Sequence, residues 1–425
     1  MASRLSVADR LAAALGTVLG TDELPWRLHA WDGSRAGPPV APMLAVRSPT
    51  AVRRLVWAPG ELGLARAYVA GEIEIGDVFA TLSGLDAVGR ISTEGALPRP
   101  GARQWAGLAR TAASLGALGP PPPPPAEEFP RPRRVRRHTP GRDAEAVSHH
   151  YDVGNEFYRL VLGPTLVYSC AVWADPGTGL DAAQEAKLDL VCRKLGLAPG
   201  MRLLDVGCGW GSLALHAARE YGADVVGITL STEQATLAGQ RVADAGLTDR
   251  VTIRVQDYRA VDDGPFDAVA SIGMAEHVGR AAMPAYVSAL HDLLVPGGRL
   301  LHHAIAWSAG ETTWKDDSFI ARYVFPGGEL ISVGDTVRAL EERFEVLDVE
   351  ALRRHYALTL RAWVERLEKH WDEAVQLVGE GRARVWRLYL AASALSFDAV
   401  KLGVNQVLAQ RAGGEPPPLR RTDWI

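Results

Sequence analysis

At 425 residues and a formal net charge of -4, the chain has length for two or three domains and is not a uniformly basic nucleic-acid binder. Its three cysteines, Cys170, Cys192 and Cys208, make neither an even-numbered framework nor a C-x-x-C pair. That usage suits a reducing cytoplasm and argues against structural zinc, and no metal site is expected. No apolar run approaches the roughly 20 residues of a membrane span, so a soluble protein is expected, one that can still sit on a membrane surface.

Ser6 reads as an N-cap with Asp9 in a capping-box position, which predicts an amphipathic helix with Leu11, Leu15, Val18 and Leu19 on one face. Short apolar segments at 26–31, 43–46 and 54–57, broken by Gly and Pro, predict a few strands. Helical patterning follows at 61–69 and 76–85. Nothing up to residue 119 has catalytic spacing, so this mixed α/β part is expected to be scaffold, or to make lipid or dimer contacts.

Residues 120–125 are an unbroken proline run, predicted to be a stiff extended spacer and the domain boundary. Arg131, Arg133, Arg134, Arg136, Arg137 and His138 follow within the same linker, 120–143. They read either as solvated linker or as a polybasic patch on anionic lipid headgroups. From 144 to 425 the pattern predicts a doubly wound α/β domain. Strands are expected near 201–206, 223–228, 251–256, 266–272 and 298–305, and helices near 184–195, 211–221, 231–244 and 282–294. Beyond Tyr356 the pattern turns helical, with Trp363, Leu367, Trp371, Val375 and Val378 as one stripe.

Residues 201–211, Met-Arg-Leu-Leu-Asp-Val-Gly-Cys-Gly-Trp-Gly, read as a strand, a tight turn and a helix start. Gly207, Gly209 and Gly211 let the backbone turn sharply and let a ligand approach the main chain at the positive end of a helix. The spacing is GxGxG, not the GxGxxG of dinucleotide enzymes. With Asp205 closing the strand it resembles the first motif of the class I S-adenosylmethionine (SAM) methyltransferases; a nucleotide site and a structural turn are the rival readings. The second strand ends in Gly227-Ile228-Thr229-Leu230-Ser231, without the usual ribose-binding acid. Thr229 and Gln234 offer neutral hydrogen bonds instead. At the third strand's end, Asp257 offers a carboxylate to an adenine amino group and Tyr258 a ring.

Four more motifs stand in order: Tyr151-Asp152-Val153-Gly154-Asn155, Tyr168-Ser169-Cys170-Ala171, Gly273-Met274-Ala275-Glu276-His277-Val278-Gly279, and Leu301-His302-His303-Ala304-Ile305. Together they resemble the cyclopropane-fatty-acyl-phospholipid synthase family over about residues 145 to 411. The resemblance implies a class I methyltransferase fold with a carboxy-terminal helical addition, and methyl transfer from SAM to a cis double bond in a phospholipid acyl chain such as oleoyl. It implies a bound bicarbonate as base, held at Cys170, Glu276, His303, Ile305 and Tyr356. His302 is the rival for His303, since strand alternation lets only one face the site. SAM contacts would fall on Tyr168, Ser169, Asp205, Gly207, Gly209, Thr229, Leu230, Gln234, Asp257 and Tyr258. Cys170 is not expected as a nucleophile, because an attacking thiolate would itself be methylated.

Many members carry a bulky aromatic where this chain has Ala275, which leaves two products open. A 10-methylene branch is expected over a cyclopropane, and a soluble small-molecule acceptor is the further alternative. A homodimer, cytoplasmic and peripheral on the inner membrane face, is expected, together with a separate reductase for a methylene product.

Overall fold

The structure, a computed structural model, describes residues 5–87, 101–130, 153–308 and 317–423. The chain divides into two compact units, one of Met1–Arg131, Lys315–Val324 and Gly379–Leu395, the other of Pro132–Trp314, Phe325–Val378 and Ser396–Ile425. The first division, at 131/132, falls within the expected linker 120–143, and two later segments join the first unit.

In the first unit the expected capping box is present: Ser6 Oγ accepts from the Asp9 amide and the Asp9 carboxylate accepts from the Ser6 amide, each at 3.2 Å. It starts helix Val7–Leu19. Strands β1 (Arg27–Ala30), β2 (Arg35–Ala36), β3 (Met43–Val46) and β4 (Ile73–Ile75) form a sheet in the order β2-β1-β3-β4. Residues 54–57, expected as a strand, instead close helix Pro49–Trp57, because Pro49 opens the first turn, where its missing N–H has no partner to lose. Helix Glu61–Val69 lies at its expected position, whereas helix Ala102–Ser114 was not anticipated.

The proline run does not stand clear as a spacer. Arg54 Nη1 donates to the Pro123 carbonyl at 2.7 Å and Trp57 Nε1 to the Gly119 carbonyl at 2.9 Å. A run without N–H donors leaves its carbonyls open to such partners. Just beyond it, the fully buried Glu128 carboxylate takes two bonds from Arg66, both at 2.6 Å, one from the Tyr323 hydroxyl at 3.1 Å and one from Arg322. This cluster pins helix Phe319–Tyr323 into the first unit.

The second unit holds β5 (Arg202–Val206), β6 (Asp224–Thr229), β7 (Val251–Val255), β8 (Phe266–Ile272), β9 (Leu294–Trp307), β10 (Glu345–Ala351) and β11 (Leu402–Gln410). They form a sheet in the order β10-β11-β9-β8-β5-β6-β7. β5 through β9 pair in parallel, while β11 runs antiparallel to both β9 and β10. The strand order reverses between β5 and its neighbours β6 and β8, which makes the carboxyl edge there the natural ligand crevice. One face packs on helices Leu180–Leu195 and Ser212–Tyr221, the other on Met283–Asp292 and Val333–Glu341.

The carboxy-terminal addition is not purely helical, since it supplies β11. The expected apolar stripe also breaks. Helix Arg353–Lys369 stops before a new one at Trp371–Val378, so Trp363 and Leu367 are buried but Trp371 and Val375 only partly. Among the described residues no helix is long and apolar enough to cross a membrane, and no His, Cys, Asp and Glu group could hold a metal.

Glu128→Ala leaves two guanidinium groups without their shared buried carboxylate. A loss of about 3–5 kcal/mol in urea unfolding of the first unit is expected, the scale for breaking a buried pair; a loss under about 1 kcal/mol would mean the cluster does not hold the segment.

Candidate active site

The glycine turn after β5 is shaped by three positive φ angles, 78° at Gly207, 54° at Gly209 and 76° at Gly211. A Cβ at 207 would lie 2.5 Å from Met274 Sδ and one at 211 would lie 3.2 Å from Ala238 Cβ, so these two serve close packing. Nothing lies within 4 Å of a Cβ built at 209. That is the point where the turn meets open space, just before helix Ser212–Tyr221 presents its free N–H groups.

Sheet register sorts the ionisable groups by face. Asp205 pairs with Ala270 and Ala270 with Leu301, while Ile272 pairs with His303. This row shares the face that packs on helix Leu180–Leu195. His302 pairs with Ser271 and falls on the other face. Sequence alternation left the two histidines open; the register sets His303 on the face of Asp205 and of Lys187, which reaches in from that helix.

Each of these groups is buried and shifted from its ordinary value. Burial raises the Asp205 carboxyl to about 7 against the opposing pull of Lys187, and its Oδ2 has no hydrogen-bond partner. Burial lowers the Lys187 ammonium to about 8, the Asp205 charge opposing the shift. His303 is held well below its ordinary value, by burial first and then by the charge of Lys187, so it is neutral. Both of its ring nitrogens are buried and, among the described residues, unpartnered.

Glu276 stands in helix Ala275–Val278, directly after β8. Its Oε1 accepts from the Ile305 amide at 2.8 Å, while Oε2 is buried and has no partner among the described residues. Burial raises this carboxyl to about 7, the Ile305 bond only partly opposing it. The Ile305 amide is thus already spent on orienting Glu276. Ala275 is buried in the core on the Met283–Asp292 side.

The Cys170 thiol is fully buried, pushed well above its usual value by burial, and donates to the Ala171 carbonyl at 3.2 Å, which makes it inert. Its loop is tied to helix Arg353–Lys369 through Thr359, whose Oγ1 accepts from the Ala171 amide and from Trp173 Nε1, each at 3.1 Å. One turn before Thr359, Tyr356 is buried against Phe397 at 4.9 Å and against Trp363 at 6.0 Å between ring centres. Trp363 also stacks on Tyr168 at 5.5 Å, and Tyr168 on Tyr158 at 5.5 Å. A continuous aromatic row therefore runs through this unit.

On the cofactor side, Thr229 Oγ1 donates to Gln234 Oε1 at 2.8 Å inside the core, leaving the Gln234 amide nitrogen as the donor of the pair. Leu230 is half-buried beside it. Tyr258 is held edge-on against Tyr286, with centres 4.7 Å apart. Asp257 has a local partner. Both its oxygens are engaged by Arg259, Oδ1 at 2.8 Å and Oδ2 at 2.6 Å, because the short turn there brings residue 259 back over its own cap. Tyr151, Asp152 and the Arg131–Arg137 segment lie outside the described residues.

Sequence reading passed over four residues. Lys187 and Lys194 recur seven apart in the apolar stripe of their helix, a signal that a buried role was coming. Gln184, on the same helix, donates to the Val167 carbonyl at 3.0 Å and accepts from Thr165 Oγ1 at 2.6 Å. Arg241 is half-buried, and desolvation lowers it to about 10. It donates to the Trp210 carbonyl, to Ser212 Oγ at 3.1 Å and to the Thr165 carbonyl at 3.2 Å. One guanidinium so fastens the glycine turn to the loop bearing Tyr168, Ser169 and Cys170. As a positioning residue, its change to Ala should raise KM for SAM about tenfold or more with a smaller effect on kcat, and Lys should restore part of it. An unchanged KM in a folded variant would refute the role.

A family model described as mycolic acid cyclopropane synthetase matches residues 138–407. The chain is 43% identical over 435 residues to a Mycobacterium tuberculosis protein named "Probable fatty acid methyltransferase", covering 98% of each. To the tuberculostearic acid methyltransferase UfaA1 of that organism it is 34% identical over 438 residues, 98% of this chain and 93% of the relative. The crystal structure of mycolic acid cyclopropane synthase CmaA1 with SAH and CTAB matches at a TM-score of 0.59 and 35% identity, covering 63% of this chain and 98% of that one. The glycine turn, the strand order and these likenesses agree, and the chain belongs to the mycolic acid cyclopropane synthetase family as a SAM-dependent methyltransferase.

Proposed function

We propose that the enzyme transfers the SAM methyl group to a cis double bond of an unsaturated phospholipid acyl chain, such as oleoyl, and that the product is a 10-methylene branch. The observation that carries this reading is Glu276, buried and half-satisfied, in a unit that also holds a row of aromatic rings. An alkene needs no deprotonation before attack. Its π electrons form the new C–C bond as the S–CH3 bond breaks, S-adenosylhomocysteine departs, and a carbocation remains. Aromatic faces stabilise such a cation without capturing it, and a dry site keeps water from doing so. A hydride shift and loss of a proton then give the methylene; loss of a proton from the new methyl with ring closure gives a cyclopropane.

The residues fit a small oxyanion base of the bicarbonate kind. Glu276 Oε2 and both His303 ring nitrogens are buried polar atoms that such a group would satisfy. When bound, it would supply the base that accepts the proton lost by the cation. Neutral His303 would donate one N–H to it. Ionised Glu276 would accept its O–H and so raise its basicity, while the Ile305 amide keeps the carboxylate aimed.

The relatives matched along 98% of this chain are named for fatty acid methylation, which favours the methylene product. The cyclopropane outcome is favoured by the family model's own description. The same reading places the enzyme as a homodimer on the inner membrane face, with the Arg131–Arg137 segment against anionic headgroups and a reductase acting on the methylene product.

Glu276→Gln should abolish methyl transfer to oleoyl phosphatidylglycerol while SAM binding by calorimetry stays unchanged. Because the ionised form acts and its carboxyl is raised to about 7, wild-type kcat should climb as pH rises through about 7. Full activity in the variant, or a rate that falls across that window, would sink the assignment.

A further inference from the structure

In the first unit, helix Pro49–Trp57 ends on side chains that its own core leaves uncovered: Val56 is 51% and Trp57 55% exposed. Leu118, 60% exposed, is brought beside them because Trp57 Nε1 donates to the neighbouring Gly119 carbonyl at 2.9 Å. The Arg53 guanidinium lies against the same glycine, 3.2 Å from where a Cβ would stand. Helix Ala102–Ser114 packs on helix Pro49–Trp57 and adds Trp105, 54% exposed. Exposed apolar residues scattered singly need no explanation, but Val56, Trp57 and Leu118 are contiguous.

Charge on this face is one-sided. Neither helix contains Asp or Glu, and together they carry Arg53, Arg54, Arg103 and Arg110, in a chain whose formal net charge is -4. Arg54 is paired with Glu72 at 2.9 Å. The other three have no carboxylate partner among the described residues. Trp57 has its N–H satisfied by backbone and its ring left in solvent, the amphipathic arrangement that suits the headgroup layer of a bilayer.

We propose that this face, Val56, Trp57, Trp105 and Leu118 with Arg53, Arg103 and Arg110, docks the enzyme on an anionic phospholipid bilayer. The inference rests on the acyl-chain reading, which puts the substrate in such a bilayer. The indoles and aliphatic side chains enter the headgroup boundary while the guanidinium groups meet lipid phosphates. A second copy is the poorer occupant. In a two-fold dimer the same patch meets itself, and three uncompensated arginines would face three more.

The test is sedimentation of the full chain with phosphatidylglycerol/phosphatidylcholine vesicles, using V56S/W57S/L118S and, separately, R53Q/R103Q/R110Q. Each variant should bind vesicles about tenfold more weakly than wild type, with a shallower salt dependence for the arginine set. SAM affinity and turnover of oleoyl lipid dispersed in detergent should not change. Wild-type vesicle binding in both variants would overturn the proposal. So would a shift from dimer to monomer in analytical ultracentrifugation, which assigns the face to a second copy. Weakened vesicle binding in the variants, with no lipid methylated even by wild type, would keep the docking face and refute the acyl-chain reading instead.

Discussion

Everything at the site depends on desolvation. Asp205, Lys187, Glu276 and His303 are taken out of water at one edge of one sheet, and among the described residues Asp205, Glu276 and His303 keep buried polar atoms without a hydrogen-bond partner, which costs stability. The carboxyls of Asp205 and Glu276 are both held near 7 by burial, so their charge is set by the site and not by solution pH alone. In the proposed reaction, burial of this kind would also keep water from a carbocation.

The rest of the second unit serves to hold that edge still. Arg241 lashes the Tyr168 loop to the glycine turn, Gln184 ties that loop to helix Leu180–Leu195, Thr359 ties its next residues to helix Arg353–Lys369, and the Ile305 amide aims Glu276. These are mostly side-chain to backbone bonds, which fix loop geometry without adding charge to the pocket. That distribution matches a reaction whose demand is alignment of a methyl group with an alkene rather than activation of a nucleophile.

Much of this was legible in the sequence where local chemistry decides structure. The strand, glycine turn and helix start at 201–211, the capping box at Ser6 and the parallel strands β5 to β9 follow from periodicity and turn residues. What was not legible depended on tertiary pairing. β10 and β11 carry no clean alternation, because β11 is buried along most of its length and β10 is largely half-exposed at the sheet edge. Residues 54–57 look like a strand until Pro49 is seen to open a helix. That Asp257 is bonded by Arg259, two residues on, depends on the short turn between them. Lys187 and Arg241 are charged residues whose burial only the assembled sheet and helices create.

The central claim is methyl transfer to a lipid alkene, and mass spectrometry of oleoyl phosphatidylglycerol vesicles after incubation with enzyme, SAM and bicarbonate tests it most directly. The account predicts an acyl chain heavier by one CH2 that ozone still cleaves, the mark of a methylene branch. A gain that resists ozone would replace the methylene with a cyclopropane. No gain at all, with SAM binding confirmed, would contradict the account and point to a soluble acceptor.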